Sequence, residues 1–479
     1  MKEYAAKQPS PWVSVLPLAV LTLLLYVVIR CFGGDAINGG SQIALLSATS
    51  VCVMLAIGIY RCKWAVLEEA IIDNIRASAS AIIILLLIGA IAGSWMVSGV
   101  VPTMIYYGLK ILHPSFFLVA SCAICAGVSL MTGSSWTTIA TIGVALMGTG
   151  QAMGFPEGWI AGAIISGAYF GDKLSLLSDT TVLASSTVGV PIFTHIRYML
   201  YTTVPSFVIA LAVFVIAGLT LDHTGGTHAG MYAESLRGTF RITPWLLAVP
   251  VATGVLIVRK LPAIVTLFCA AVFACIAMLL AQPELVAKVA GVGGLDFMSG
   301  FKGVLMSCFG PTAIPTGSPQ LDELVATRGM AGMLNTVWLI ICAMCFGGVM
   351  TGSGMLGALT SVFLRFVRRA FSAVASTVGA GIFFNLCTAD QYISIILSGR
   401  LFRELYAERG LEPRLLSRSV EDSATVCSVL VPWNSCGMTQ ATVLGVSTFV
   451  YMPYCIFNIV SPLMSLMVAA IGWKIKRAA

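Results

Sequence analysis

Two aspartates and a lysine lie inside a part of the chain that is otherwise strongly apolar. Asp172, Lys173 and Asp179 fall within the stretch 166–181, which reads SGAYFGDKLSLLSDTT and has apolar residues on both sides. A charged side chain at the centre of a bilayer costs about 2.5–3.5 kcal/mol on insertion scales. Membrane proteins keep such residues mainly where an ion, a proton or a polar substrate is handled. This stretch is therefore expected to carry the function.

Polar residues interrupt apolar runs at four places, 132–135, 178–181, 388–391 and 432–437. Non-helical backbone at membrane depth must line a cavity or be buried in protein, because lipid cannot satisfy its hydrogen bonds. Hydroxyl, amide and carboxylate oxygens suit a small hard cation, whereas helix N-termini at the same places would attract an anion. The residues predicted to bind the ion or substrate are Thr132, Gly133, Ser134, Ser135, Ser178, Asp179, Thr180, Thr181, Asn385, Thr388, Asp390, Gln391, Asn434 and Ser435.

Four aspartates are candidates for proton coupling, because a proton and a cation can compete for one buried carboxylate. Asp179 and Asp390 are favoured as ion ligands by the hydroxyl and amide groups beside them in the sequence. Asp172 has three alternatives, namely an ion site, a charge partnership with Lys173, or a helix cap. Asp422 has two, an N-cap or a site for an ion or a proton.

The composition predicts an all-α polytopic membrane protein. Of 479 residues, 58% are hydrophobic and 10% are charged, whereas a soluble domain carries roughly 25% charged residues. The mean hydropathy is +0.95. The predicted crossings, long enough for a bilayer, are 11–30, 41–60, 79–98, 159–190, 198–218, 244–258, 262–280, 333–350, 420–448 and 450–472. The first has no cleavage site after it and is expected to remain in the mature chain.

Other function classes lack their characteristic residues. The net charge of +7 comes from basic residues near span ends, which favours membrane orientation over nucleic-acid binding. The 14 cysteines lie mostly in apolar runs and are expected to pack rather than to bind a metal. The sequence has no GxSxG, HExxH or GxxxxGK[ST] motif. An enzyme, an ATP-driven pump and a bound cofactor are therefore not expected.

An internal repeat divides the chain. Residues 82–112 align without gaps to 337–367, and the same offset carries 131–136 onto 386–391. The order of the matches, rather than any single pair, indicates the repeat. Further along, 171–172 falls near 421–422, and 175–177 falls near 428–430.

Basic residues predict that the two repeats are inverted. The flanks of the second repeat's paired segments contain Arg365, Arg368, Arg369, Arg400, Arg403, Arg409, Arg414 and Arg418. The equivalent flanks of the first repeat contain only Lys110, so the two flanks are expected on opposite sides of the membrane. The run 400–418 is predicted to be a solvated cytoplasmic helix. Ten crossings counted from a cytoplasmic N-terminus, where Lys2 and Lys7 lie, also place the C-terminus in the cytoplasm.

The predicted fold is therefore all-α, with two inverted repeats, two re-entrant hairpins and two interrupted helices, an architecture typical of secondary transporters. The hairpins are predicted near 132–135 and 385–391, and the broken helices near 171–181 and 432–437. The predicted regions are 1–78 with N-terminal helices, 79–218 with the first transport repeat, 219–332 with connecting helices and extracytoplasmic loops, and 333–479 with the inverted second repeat.

These residues resemble a known family. The stretch 166–181 closely resembles the signature of NhaC-type Na+/H+ antiporters, within the broader ion transporter superfamily. The stretches 421–437 and 451–463 are similar to its second hallmark, and the resemblance runs from about residue 12 to 472. The family usually has proline where this chain has Leu176, and Val429 also stands where proline is expected. Without proline, the helix break has to come from Gly171 and the Ser, Asp and Thr residues that follow it.

The resemblance implies exchange of Na+ for H+ across the cytoplasmic (inner) membrane by alternating access. The alternative it leaves open is Na+- or H+-coupled exchange of a small carboxylate, of the malate or lactate type, or of an amino acid. Na+ would be held by Asp179, Ser178 and Thr180 with oxygens of the hairpin tips, and Asp172 or Asp390 would release the proton. The expected partners are Na+, H+, the lipid bilayer and, in the alternative, a small organic acid; a homodimer is one assembly that the sequence leaves open.

Overall fold

The computed structural model describes residues 9–32, 38–221, 225–259, 261–316, 322, 325–365, 369–473 and 475. Lys2, Lys7 and Arg368, on which the predicted orientation partly rests, lie outside the described residues. Within those residues the chain is helical, with no β-strand and one isolated antiparallel bridge between Thr312 and Thr327. The prediction of an all-helical chain is confirmed.

The helices fall on either side of residue 221. The first set is α1 (Pro11–Ser14), α2 (Leu16–Phe32), α3 (Gly40–Gly58), α4 (Trp64–Ala77), α5 (Ala79–Val97), α6 (Val100–Ile111), α7 (Phe117–Thr132), α8 (Ser135–Thr138), α9 (Val144–Ala152), α10 (Glu157–Leu174), α11 (Asp179–Val188) and α12 (Ile192–Thr220). The second set is α13 (Gly225–Thr239), α14 (Ala248–Val258), α15 (Ala263–Ala281), α16 (Pro283–Ala290), α17 (Phe297–Phe309), α18 (Gly329–Gly352), α19 (Met355–Arg365), α20 (Ala370–Thr388), α21 (Gln391–Glu408), α22 (Pro413–Val420), α23 (Ser435–Leu444), α24 (Thr448–Tyr451) and α25 (Ile456–Ile471). Two π-helical segments, Ile139–Gly143 and Glu421–Thr425, continue α8 and α22.

Among the described residues, eight helical stretches are long and apolar enough to cross a membrane, or up to eleven if each bent pair counts as one span. The bent pairs are Glu157–Leu174 with Asp179–Val188, Gly230–Thr239 with Pro244–Val258, and Thr448–Tyr454 with Ile456–Ile471. Their bends are 46°, 93° and 55°, in that order. The chain is therefore a polytopic membrane protein in which several spans are broken.

The predicted crossings differ from the structure at four places. The predicted crossing 244–258 is the second part of a bent pair, and 420–448 is not among the candidate spans that the described ranges contain. The predicted crossing 79–98 is the second part of a longer candidate span, Trp64–Val97. Its first part, α4, contains Glu68, Glu69, Asp73 and Arg76, and these charges lower the hydropathy from which a span is predicted. The predicted crossing 450–472 is a bent pair rather than one continuous helix.

Close packing between α7 and α10 positions the first candidate site. Gly167 and Gly171 of α10 lie against the backbone of α7, where an added Cβ would come within 2.0 Å of the Cys122 oxygen and 2.3 Å of the Ala126 oxygen. Helices approach this closely only where small residues face each other. The Ser129 hydroxyl adds a hydrogen bond across the interface to the Ala168 oxygen, at 2.6 Å.

The aligned segments 82–112 and 337–367 have the same backbone geometry where their two helices meet. Gly99 and Gly354 both adopt left-handed backbone, with φ of 81° and 76°, where one helix ends and the next begins. Before them, the Ser98 and Ser353 hydroxyls each donate to the carbonyl three residues earlier, at 3.1 and 3.3 Å. These pairs follow the predicted alignment.

The register of the polar turns differs from the predicted alignment by one residue. Gly133 and Ala389 both adopt left-handed backbone, with φ of 67° and 56°, and each is followed by an N-cap residue. The predicted alignment pairs Gly133 with Thr388 and is wrong by one position here. Threonine, left-handed residue and N-cap occur in the same order in both turns, 132–134 and 388–390.

The shifted register continues through the broken helices. Ser178 and Asn434 are the N-caps of α11 and α23, and both helices end at left-handed glycines, Gly189 and Gly445. In this register Asp172 corresponds to Ser428. The predicted correspondence of 171–172 with 421–422 is therefore wrong.

Candidate ion-binding site

The first polar turn holds the carboxylate of Asp172. The backbone N–H and the hydroxyl of Ser135 both donate to Asp172 Oδ2, at 3.0 and 2.7 Å. Asp172 is buried near the end of α10, and the Ser178 hydroxyl also faces its carboxyl group. Ser134 caps the next helix by accepting a hydrogen bond from Thr137 N at 3.2 Å. The turn therefore presents one helix N-terminus and one buried carboxylate to the same space.

The second polar turn carries its carboxylate on the turn itself. Asp390 is buried and caps α21, because its Oδ1 accepts from the backbone N–H groups of Tyr392 and Ile393, at 2.9 and 3.0 Å. Its other oxygen, Oδ2, accepts from the Ser435 hydroxyl at 3.3 Å. The Ser435 N–H donates to the Ala389 oxygen at 2.8 Å. The turn and the start of α23 are therefore joined at Asp390.

Two buried asparagines hold the second turn in place. Asn385 donates to the Ala424 oxygen at 2.7 Å, and Asn434 donates to the backbone and side-chain oxygens of Asn385, both at 3.2 Å. Asn434 also caps α23 by accepting from Cys436 N at 3.1 Å. Both predicted asparagines therefore hold the backbone around the site in place.

The two turns have the same pattern of hydrogen bonds around their threonine hydroxyls. The Thr132 hydroxyl contacts the Ser134 oxygen and the Thr138 hydroxyl, at 3.3 and 3.2 Å. The Thr388 hydroxyl makes the corresponding contacts with the Asp390 oxygen and the Ser394 hydroxyl, at 3.1 and 3.2 Å. Each threonine therefore ties the turn to the helix that follows it.

Gln391 makes the contact in the second repeat that Ser135 makes in the first. The Ser428 hydroxyl donates to Gln391 Oε1 at 3.3 Å. Ser428 corresponds to Asp172. The contact between the Ser135 hydroxyl and the Asp172 carboxylate in the first repeat is therefore replaced by a contact between the Ser428 hydroxyl and the Gln391 amide in the second. The hydrogen-bonding pattern is repeated, but the carboxylate is not.

The first helix break lies within the predicted region 171–181 but begins before the predicted polar interruption, 178–181. The chain leaves the helix at 175–178, whereas Asp179, Thr180 and Thr181 already belong to α11. Ser175 is extended, with φ of −78° and ψ of 135°, and its hydroxyl accepts from Leu177 N at 3.2 Å. A serine turn thus takes the place of the missing proline. Leu176 lies on this turn and is exposed.

The second break is longer than predicted. Helix α22 continues into the π-helical segment, then into one 3-10 turn, Ser428–Leu430, and regular helix resumes only at Ser435. The predicted interruption, 432–437, therefore includes residues that are helical. Pro432 stands inside the break, where it cannot continue a helix.

Three residues predicted to hold the cation lie beside the break in different surroundings. The hydroxyls of Ser178 and Thr180 are buried and contact each other at 3.0 Å. Asp179, between them in sequence, is exposed, and its carboxylate makes no hydrogen bond or ion pair among the described residues. The Thr181 hydroxyl donates to the Lys173 oxygen at 3.1 Å. The structure therefore brings the two hydroxyls together but leaves the carboxylate apart from them.

Three carboxylates surround Tyr392 without a basic partner. Asp172, Asp179 and Asp390 lie within electrostatic range of the Tyr392 hydroxyl. Across the described part of the chain, no lysine, arginine or histidine forms a salt bridge with any of the three. Four helices begin here, each with about half a positive charge at its N-terminus. When all three carboxylates are ionised, their charge exceeds that sum by about one, which makes the site attractive to a cation.

A separate charged network lies next to this site. Lys173 Nζ contacts Asp422 Oδ1, and both side chains are fully buried. The Thr202 and Ser461 hydroxyls also donate to this oxygen, at 3.2 and 3.3 Å. Arg418 Nε lies 3.9 Å from the other oxygen, Asp422 Oδ2. The network joins residues from both repeats.

This network corrects three predictions. The charge partner of Lys173 is Asp422 rather than Asp172. Asp422 is not an N-cap, because it lies within the π-helical segment that continues α22. The run 400–418 is not one solvated helix, since Arg418 is fully buried in α22.

The sequence candidates omit two buried charged residues, Arg418 and Glu421. Both side chains are fully buried. A signal was present: Glu421, Asp422 and Arg418 lie within five residues at the edge of an apolar run, and membrane segments rarely contain charges. The prediction placed 400–418 in solvent and 421–422 at the start of a helix, so it did not identify these residues as buried charges.

The comparison with known families agrees with this site. The profile described as the Na+/H+ antiporter family matches residues 167–473, which include both broken helices and the second polar turn. The chain belongs to the Na+/H+ antiporter family. The predicted family resemblance is confirmed, and the protein is a transporter rather than an enzyme.

Several curated relatives match most of the antiporter. The Na(+)/H(+) antiporter NhaC of Alkalihalophilus pseudofirmus is 35% identical, covering 88% of this chain and 89% of the relative. The malate-2H(+)/Na(+)-lactate antiporter of Bacillus subtilis is 35% identical, covering 86% and 85%. The arginine/ornithine antiporter ArcD of Halobacterium salinarum is 33% identical, covering 98% and 93%. The relatives share antiport but differ in the solutes that their names give.

Proposed function

We propose that the antiporter exchanges Na+ for H+ across the cytoplasmic membrane by alternating access, with the cation held between the two polar turns. The observation that carries the proposal is the pair of buried carboxylates, Asp172 and Asp390, each beside serine hydroxyls and neither with a basic partner among the described residues. Carboxylate and hydroxyl oxygens are the ligands that a small hard cation takes.

Proton coupling follows from the same groups. A buried carboxylate is stabilised by either a bound cation or a proton, so the two compete. Binding of Na+ at Asp172 or Asp390 then releases a proton. Asp179, exposed at the edge of the site with Ser178 and Thr180 beside it, is the residue that the cation meets on entry. Asp422 is already paired with Lys173 and takes no part in holding the cation.

The two repeats supply the conformational change. Each turn and its broken helix form one unit of an inverted pair, with both turns entering the membrane as re-entrant hairpins from opposite sides. Rocking one unit against the other opens the site alternately to each side. In this arrangement both chain termini are cytoplasmic.

Purified protein in liposomes that contain a pH-sensitive dye tests the proposal. An external pulse of Na+ is expected to raise the internal pH as protons leave, while an equal pulse of K+ does not. The proposal fails if Na+ moves no protons until malate, lactate, arginine or ornithine is added.

That result would favour a second candidate, exchange of a small carboxylate or an amino acid. The observation that favours it is the meeting of four helix N-termini, which would attract a carboxylate group. Two relatives with such solutes in their names, the malate/lactate and the arginine/ornithine antiporter, are as similar to this chain as NhaC is.

A further inference from the structure

Glu421 is a buried acid that neither polar turn uses. Its side chain is fully buried in the π-helical segment. Neither carboxyl oxygen has a hydrogen-bond partner among the described residues. The Thr425 hydroxyl faces it without making a hydrogen bond of normal geometry. An ionised carboxylate is costly in such a place, so the carboxyl group is expected to hold a proton in this conformation.

Several charged groups lie near Glu421. Lys173 and Asp172 of α10 lie within its electrostatic range, as does Asp422 next to it. Lys173 is already engaged by Asp422. Arg418 stacks over the Tyr198 ring at 4.7 Å, and its guanidinium has no hydrogen-bond partner in the described part of the chain. The other titratable groups near this segment are His195 of α12, Tyr406 of α21 and Cys427.

Glu421 therefore lies near a site that must exchange protons and near two cations that can stabilise its ionised form. Asp172, which accepts hydrogen bonds from Ser135 in the first turn, is close enough to interact with it electrostatically. So is Lys173, and Arg418 stands three residues before Glu421 in the sequence; both cations are fully buried. If Glu421 gives up its proton, these cations can stabilise the carboxylate. Such a group can bind a proton and release it without leaving an unpaired charge.

We propose that Glu421 is a proton-relay residue, which loads and unloads Asp172 and does not itself hold the cation. The inference rests on the proposed function, because it names the route of the exchanged proton. As the cation leaves, the Glu421 carboxyl passes its proton to the Asp172 carboxylate and takes another from the aqueous phase on the side that is then open. Before a cation binds on the other side, Glu421 releases its proton to the aqueous phase there, and Asp172 then returns a proton to Glu421, which is protonated again at the end of each step.

Two assays in liposomes separate the relay from the cation site. One is proton movement driven by Na+, and the other is exchange of 22Na+ for Na+ at alkaline pH, which needs no proton. For Glu421→Gln we expect proton movement to fall about 100-fold, as for loss of a proton-transfer group. Exchange of 22Na+ is expected to stay within about twofold of wild type. Glu421→Asp is expected to restore proton movement, and Glu404→Gln, an exposed acid on α21, is the matched control.

The inference is overturned if Glu421→Gln moves protons at the wild-type rate. It is also overturned if both activities fall together in a variant that remains monodisperse and as heat-stable as wild type, because the residue then belongs to the cation site or the frame.

A second measurement uses the unmodified protein and does not depend on folding of a variant. A hydrophobic carbodiimide reacts with protonated buried carboxyl groups, and the labelled residue is located by mass spectrometry. Labelling of Glu421 is expected to rise as the pH falls and to be unaffected by Na+, whereas Na+ is expected to protect Asp390. Absence of label on Glu421 at every pH rejects the relay. If wild-type protein moves no protons with Na+, the proposed function fails, and the labelling still decides whether Glu421 binds a proton.

Discussion

The two polar turns, 132–135 and 388–391, have the same backbone and different chemistry. In each, a threonine, a left-handed residue and an N-cap follow one another, and the threonine hydroxyl makes the same two contacts. In the first turn the acid is Asp172, on the neighbouring helix. In the second it is Asp390, on the turn itself. A repeated frame thus holds one carboxylate from each repeat in unequal positions.

The difference between the turns teaches which features symmetry preserves. Helix caps and left-handed residues are needed in both copies, because each copy has to end one helix and start another. The carboxylates all face one shared site, so the two repeats do not have to supply them from the same position. The predictions below test this division between frame and charge.

The largest effect is expected from removing either carboxylate. Asp172→Asn and Asp390→Asn are each expected to lower Na+ transport by at least about 100-fold, since even residues that only orient an ion ligand are worth 10- to 100-fold. Asparagine is as good an N-cap as aspartate, so Asp390→Asn should leave the start of α21 stable. Uptake of 22Na+ into liposomes measures the first effect, and the melting midpoint in detergent the second. Full uptake by either variant would mean that its turn does not hold the ion.

The second prediction concerns the backbone of the first turn. At Gly133 an added Cβ would lie 2.6 Å from the backbone carbon of Leu177, and the left-handed φ disfavours any side chain. Gly133→Ala is therefore expected to destabilise the protein by about 2–3 kcal/mol, from overpacking and backbone strain together. Thermal unfolding in detergent measures it, with Gly127→Ala, which meets no atom within 4 Å, as the control. Equal stability of the two variants would contradict the close packing of turn and break.

The third prediction moves the charge to its symmetric position. Asp172→Ser is expected to lower Na+ transport by at least about 100-fold, whereas Asp172→Ser combined with Ser428→Asp places the acid opposite Gln391, whose amide can donate to it. The double variant is expected to transport Na+ about five- to tenfold faster than Asp172→Ser, a coupling of about 1 kcal/mol. Uptake of 22Na+ by both single variants and the double variant measures this coupling. A double variant no better than Asp172→Ser would show that the frame alone does not make the two positions equivalent.

Much of the fold was predictable from the sequence, because it depends on local patterns. Apolar runs identified most spans, and the polar inserts at 132–135 and 388–391 identified both turns. Among the predicted site residues, Ser135 contacts Asp172. Asp390, Ser435, Asn434 and Asn385 are joined by hydrogen bonds in that order. Clusters of hydroxyl and amide residues that break an apolar run indicate a site without any structure, because non-helical backbone at membrane depth must line a cavity or be buried in protein.

The pairing of charges was not predictable, because it depends on long-range contacts. Lys173 and Asp422 are 249 residues apart, and nothing in either neighbourhood favours that partner over Asp172, which is adjacent to the lysine. Burial of Glu421 and Arg418 has the same origin, since it is created by packing of α12, α20 and α21 against α22 and the π-helical segment that follows it. The internal repeat did not help, because a gapless alignment is wrong by one residue at the turns, and one residue changes every pairing that follows.

The smallest effect is expected at Ala389, the counterpart of Gly133. Alanine stands here in left-handed backbone, with φ of 56°, and no close contact has to be avoided as at Gly133. Ala389→Gly removes about 1 kcal/mol of strain but loses a buried methyl group, worth about 0.8 kcal/mol, and adds chain entropy to the unfolded state. The net change is expected to stay within about 1 kcal/mol, measured by the same melts as Gly133→Ala. Both variants exchange the same two residue types at equivalent positions. A large loss of stability in Ala389→Gly would mean that packing limits the second turn as it limits the first. The two turns would then differ only in the position of their carboxylates.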